Sequence, residues 1–180
     1  MKTPTNTSEQ GNGENKMLTP TTKSTTALVL ITSLLLGTAH AATQCPGPHV
    51  PNFQFEVNGR SHQFEQLRGK VVVLDFWASW CTPCRKSLPK VDQINRAYDD
   101  VIVIGVNSES RQEVDAFTDA MGLSFPTIVD EDGQLGQMFD VEAIPTTVVI
   151  DAKGHVIDVL VGYRTDNSLE RAIERARHSR

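Results

Sequence analysis

The sequence predicts an α/β domain: a mixed β-sheet with helices on both faces, an N-terminal β-hairpin and a central helix–strand insertion. Three observations predict it. Val71–Trp77 (VVVLDFW) and Val101–Val106 (VIVIGV) are continuous, β-branched apolar runs, the pattern of strands buried on both faces. Segments of helical period lie between the strands. The chain then closes with two more strands, Thr146–Ile150 and Val156–Val161, joined by the turn Asp151-Ala152-Lys153-Gly154 and followed by a last helix.

The N-terminal part does not read as fold. Met1–Thr26 is polar and carries Lys2, Lys16 and Lys23; Ala27–Gly37 (ALVLITSLLLG) is apolar; Ala39 and Ala41 form an A-x-A cleavage pattern. A basic region, about 11 apolar residues and small residues at the cut describe a secretory signal over residues 1–41. The apolar run is short for a membrane span, which needs about 20 residues, so an uncleaved anchor is the second reading. The polar stretch is long for a signal, which makes Met17 an alternative start. Residues 42–50 form a flexible leader, and the domain proper spans 51–180. Cys45, preceded by Gln44 and Ala42, poorly fits a lipid-acceptor site and reads as a free thiol in that leader. The expected location is the periplasm, where disulfides persist.

The whole chain has 180 residues and a net charge of −5, with no long basic run, which argues against nucleic acid as a partner. From residue 42 onward the balance is 14 Lys+Arg against 20 Asp+Glu. That part is long enough for one hydrophobic core and is expected to be a monomer.

The elements follow in order. Phe53, Phe55 and Val57 alternate with polar residues, Asn58-Gly59 is a hairpin turn, and Gln63–Glu65 is the expected return. Val71–Trp77 is the central strand. Cys81 to Asp99 has Leu88, Val91, Ile94 and Tyr98 at helical spacing, with a kink expected at Pro89. Val101–Val106 is the next strand. Arg111–Met121 is an amphipathic helix stopped by Gly122. Phe125–Val129 is a strand and Gln134–Phe139 a short helix. Asp166 or Asn167 caps the last helix, which runs to about Arg177.

The chemistry is carried by Trp80-Cys81-Thr82-Pro83-Cys84-Arg85. A C-x-x-C pair can be half of a zinc site, but no two of the remaining candidates, Cys45, His49, His62, His155 and His178, have ligand spacing. A purely structural disulfide across so short a loop would stabilise little. A redox pair accounts for the surroundings. It follows a strand and opens a helix, where unpaired backbone N–H groups and the macrodipole favour a thiolate at Cys81. Cys84 lies one turn further in, placed to attack a mixed disulfide formed at Cys81. Pro83 stiffens the turn and Trp80 shields one side. Asp75, alone in an apolar strand, is costly to bury. It is either a satisfied structural acid or, with a raised pKa, the proton acceptor for Cys84.

Phe76-Trp77-Ala78-Ser79-Trp80-Cys81-Thr82-Pro83-Cys84-Arg85 resembles the active-site segment of thioredoxins, and Ile144-Pro145-Thr146 resembles their cis-proline loop, 61 positions after Cys84. Gly69–Leu74, the leader from Pro51, the helix and strand between Val106 and Asp130, and Pro89 are similar to the exported TlpA/ResA-like branch. The resemblance covers about residues 50–177. It implies a thioredoxin-like fold and a thiol-disulfide oxidoreductase with Cys81, Cys84, Asp75 and a cis Pro145 as catalytic residues. Trp80, Thr82, Pro83 and Ile144 would meet substrate, and Cys81–Cys84 would be the redox-active disulfide. It further implies a disulfide reductase of protein thiols, fed by a membrane or periplasmic thiol donor, with cytochrome c biogenesis among the possible settings. No cofactor and no metal are expected. The sequence departs from the pattern at Ser87, where the branch often has glutamate, and at Asp75, where it often has asparagine. No lysine stands between Val101 and Asn107, where thioredoxins place one.

Two alternatives have other chemistries. A copper-binding metallochaperone of this fold would need a third soft or imidazole ligand near the pair, and His155 sits on a predicted distal hairpin. A thiol peroxidase of the related peroxiredoxin fold would need a threonine shortly before its cysteine, and Ala78-Ser79-Trp80 offers none.

Overall fold

Five strands form the main sheet, in the spatial order Thr127–Val129 (β5), Val101–Asn107 (β4), Val71–Phe76 (β3), Thr146–Ile150 (β6) and Val156–Val161 (β7). The computed structural model describes residues 47–179. The expected signal over residues 1–41, Met17 and Cys45 lie outside the described residues. Among the described residues no helix is long and apolar enough to cross a membrane.

β1 (Gln54–Val57) and β2 (Arg60–Gln63) pair antiparallel as a separate hairpin, Val57 opposite Arg60. Its turn is Asn58-Gly59, both at positive φ (53° and 69°), the conformation that matches strand twist in a two-residue loop. The return strand therefore starts directly after the turn, at Arg60, earlier than the Gln63–Glu65 that the side-chain pattern suggests. The polar side chains Arg60 and Ser61 hid it. Phe64–Leu67 forms a short 3-10 turn instead.

β3 (Val71–Phe76) is wholly buried, parallel to β4 (Val101–Asn107) and antiparallel to β6 (Thr146–Ile150). Strand alternation sends Val72, Leu74 and Phe76 to the face covered by the hairpin and α3 (Gln134–Met138), where they pack with Phe55, Phe64 and Leu135. Val71 and Val73 go to the opposite face. There they pack with Cys84, Leu88 and Val91 of α1 (Thr82–Ala97), Val114 of α2 (Arg111–Met121), and Ala172 and Ile173 of α4 (Ser168–His178). Asp75 shares the register of Val71 and Val73, so the acid lies on the α1 face.

α1 runs unbroken through Pro89. β5 is confined to Thr127–Val129, shorter than the expected Phe125–Val129, because Pro126 has no N–H for the ladder; its carbonyl accepts from Gly105 N–H at 2.9 Å. β7 (Val156–Val161) closes the sheet against β6. At α4 the capping oxygen comes from Asp166, which accepts from Ser168 N–H at 3.2 Å, while Asn167 makes no side-chain cap. Pro48 to Val50, assigned to the leader by sequence, lie along the β6–β7 turn: Val50 N–H donates to Gly154 O and Val156 N–H to Pro48 O.

Candidate active site

β3 ends at Phe76, and the chain crosses Trp77 and Ala78 to the start of α1, where Cys81 is the N-cap. Its Sγ accepts from Cys84 N–H at 3.2 Å, so the sulfur sits among the open N–H groups of the first turn. Cys81 and Cys84 are joined in a disulfide. Cys81 is 4% exposed and Cys84 is fully buried, so any access to the pair is through Cys81. Thr82 and Pro83 are exposed beside it. Trp80 is 71% exposed, more open than the shield expected of it, and presents an apolar surface next to the pair in sequence.

The Ile144–Pro145 peptide is cis, and the Ile144 carbonyl oxygen lies 3.9 Å from Cys81 Sγ. Two bonds hold this loop: Gly162 N–H donates to Pro145 O at 2.7 Å and Thr146 Oγ1 to Ala143 O at 2.7 Å. Thus Cys81, Cys84, Ile144 and Pro145, far apart in sequence, meet at one end of the sheet.

Asp75 is fully buried. Its Oδ1 accepts from Thr147 Oγ1 at 2.7 Å, and Oδ2 has no hydrogen-bond partner. Burial pushes its pKa up to about 7, against the smaller opposing effect of the Thr147 hydrogen bond. Ser87, in place of the branch's glutamate, donates its hydroxyl to the Cys84 carbonyl at 3.0 Å.

Two polar neighbours of the site were not singled out from the sequence, Thr147 beside Asp75 and Glu109 beside Ser79. Glu109, in the β4–α2 loop, accepts from Ser79 N–H at 2.6 Å and from Ser79 Oγ at 2.5 Å, and is itself held by Asn107 Nδ2 at 2.9 Å. Burial works to raise its pKa, but the hydrogen bonds from Ser79 and Asn107 outweigh it and hold the carboxyl below its ordinary value. From the other side Arg85 Nε donates to Ser79 O at 2.7 Å, and its guanidinium lies over the Phe117 ring. Ser79 is thereby fixed through all three of its polar groups, two residues before Cys81. The signal was an acid shortly after a buried strand, which is common in loops and carries no partner in its spacing. Glu109→Ala is expected to lower stability by about 1–2 kcal/mol, since it strips a charged acceptor from a part-buried loop. The urea midpoint reads this, and an unchanged midpoint would dismiss the clasp.

His155 lies on the β6–β7 turn, at the end of β6 away from Pro145, with its ring edge-on to His49. Among the described residues no group of three or more His, Cys, Asp or Glu is placed to hold a metal ion.

A family model described as the AhpC/TSA family matches residues 46–159. Thioredoxin-like protein YneN of Bacillus subtilis is 33% identical over 134 residues, covering 71% of this chain and 78% of YneN. Thiol-disulfide oxidoreductase ResA of the same organism is 35% identical over 127 residues, 68% of this chain and 71% of ResA. Of solved structures, StoA from Bacillus subtilis superposes with a TM-score of 0.59 at 30% identity, over 68% of this chain and 96% of StoA. MTB DsbF, in mixed oxidised and reduced forms, gives 0.66 at 28% identity, over 73% and 99%. The chain belongs to the AhpC/TSA family, within the thioredoxin superfamily, and is a thiol-disulfide oxidoreductase related to the TlpA/ResA/DsbE-like proteins.

Proposed function

We propose that this protein is a periplasmic disulfide reductase acting on protein substrates through the Cys81-Thr82-Pro83-Cys84 pair. The observation that carries the reading is the placement of the pair: a disulfide at the N-terminus of α1, with only Cys81 reachable, beside the cis Ile144–Pro145 peptide. Cys81 is the attacking sulfur, favoured as thiolate by the first-turn N–H groups. Cys84 resolves the mixed disulfide, and Asp75 takes its proton. A substrate chain lies against Ile144 and Pro145 and contacts the exposed Trp80, Thr82 and Pro83. The N-terminal segment 1–41 directs export and is removed, leaving the domain in the periplasm; a membrane or periplasmic thiol partner returns it to the dithiol.

The electrostatics support this direction. A strong oxidant needs its reduced form held by strong support of the thiolate. Here Arg85, the nearest cation in sequence, is turned to Ser79 O and Phe117, and Asp75 opposes a nearby thiolate whenever it ionises. The expected couple lies below about −220 mV, and a value near about −120 mV would make the protein an oxidant instead. Equilibration in glutathione buffers, read by alkylation and mass, measures it.

The peroxidase alternative has less support. The hydroxyl of Ser79, two residues before Cys81, is committed to Glu109.

A further inference from the structure

Asp75 is sealed from solvent, yet an acid that accepts a proton in each cycle must also release it. Its only hydrogen-bonded side chain among the described residues is Thr147, at 2.7 Å. Thr147 has a second surface. With Ser87, Lys90, Pro145, Gly162 and Arg164 it lines a narrow cleft of about 30 Å³ beside the cis-proline. The lining is mixed: Val91, Leu160 and Leu169 are apolar, while Thr147, Ser87 and Lys90 carry polar groups; a water needs roughly 10–15 Å³ of such space and at least two polar partners. We propose that Thr147 is a positioning residue that relays the proton between Asp75 and this cleft, resetting the buried acid after each exchange. The inference rests on the reading of Asp75 as proton acceptor for Cys84.

The resolving step balances as follows. The Cys84 thiol gives its proton to Asp75, and its sulfur attacks Cys81 Sγ in the mixed disulfide. The Cys81–Cys84 bond forms, the bond from Cys81 to the substrate sulfur breaks, and that sulfur leaves as thiolate with the electron pair. The two cysteines are oxidised by two electrons and the substrate disulfide is reduced by two. The Thr147 hydroxyl, which donates to Asp75 Oδ1 in this structure, turns and gives its proton to solvent water entering the cleft, and the Thr147 oxygen takes the proton left on Asp75. A hydroxyl can accept and donate at once; a valine side chain of the same shape can do neither. The charged groups around the path are Lys90 of α1, paired with Glu170 of α4 at 3.2 Å, and Arg164 of the β7–α4 loop. Cys84 packs on the same face from α1.

The test compares Thr147→Val, Thr147→Ser and Asp75→Asn with the full chain, following first attack and mixed-disulfide release separately between about pH 6 and 9. Thr147→Val is expected to slow release about 5-fold or more with first attack unchanged, and Thr147→Ser to restore it. A relay lost to valine stays slow across this range. Recovery of the valine variant to the wild-type rate at high pH would mean that Thr147 only tunes the carboxyl, and would overturn the relay. Should Asp75→Asn slow release while Thr147→Val does not, the relay is wrong and the acid's role stands; should Asp75→Asn have no effect, the acid's role and the relay both fall. If the valine variant does not fold by circular dichroism, the serine variant decides: wild-type release supports the relay, and slowed release overturns it.

Discussion

Cys81→Ser is expected to abolish disulfide exchange, and Cys84→Ser to keep the first attack while accumulating mixed disulfides. The asymmetry comes first from burial and second from the support of a thiolate at Cys81. Cys84 has no exposed surface, so a substrate disulfide cannot reach it; Cys81 retains 4% and sits at the mouth of the site. The first-turn N–H groups that support a thiolate also favour Cys81, whose Sγ already accepts one from Cys84. Without Cys81 no other sulfur of the described site can start the reaction, and activity is expected to fall to the uncatalysed level. Without Cys84 the attack proceeds, but no neighbouring thiol can displace the substrate. The measurement is turnover of a disulfide substrate together with non-reducing gels of the reaction. Normal turnover by Cys84→Ser would show that the roles are wrongly assigned.

Asp75→Asn is expected to slow mixed-disulfide release by about 10-fold or more, to leave the first attack nearly unchanged, and to change how stability depends on pH. The carboxyl is pushed up to about 7 by burial, from an unfolded value of 3.8. Its folded form therefore binds the proton more tightly than its unfolded form. The stability this contributes is fully present below about pH 4 and is lost as pH rises toward about 7. At about 1.4 kcal/mol per pKa unit, the loss across that window is on the order of 4 kcal/mol as a ceiling. Asparagine does not ionise, so the variant should show little of this slope and should be the more stable protein at pH 8. Urea unfolding at about pH 4.5 and 8 checks it. Parallel pH profiles for wild type and variant would contradict the buried, raised carboxyl. Equal slowing of attack and release would make Asp75 a structural acid.

The strand and cysteine pair of this site were legible in the sequence because each has a local signature. Val71–Trp77 is apolar on both faces, so it could only be a central strand, and the pair at its end had to open a helix. Asp75 was conspicuous as the one acid in that strand. The segment Ile144-Pro145-Thr146 marked the second half of the site only through its resemblance to a known loop; from the residues alone Pro145 was an ordinary loop proline. Arg111–Met121 was readable from Val114, Phe117 and Met121 at helical spacing and from Gly122 as the stop; the structure adds a capping box between Ser110 and Glu113 and places Gly122 at positive φ.

What the sequence by itself determined were the elements with a strong period and the identity of the reacting sulfurs. Only the tertiary structure decided which polar groups meet. Glu109 reaches back 30 residues to Ser79, Thr147 reaches 72 residues to Asp75, and Arg85 lies over the Phe117 ring. It also decided that Trp80 stands in solvent. The physical reason is that burial and helix formation follow from patterns a few residues long, whereas a hydrogen bond between distant side chains depends on strand order and register. Asp75 finds Thr147 because β3 pairs antiparallel with β6 and places the two residues opposite each other. A one-residue slip would send the Thr147 side chain to the other face of the sheet and break this hydrogen bond.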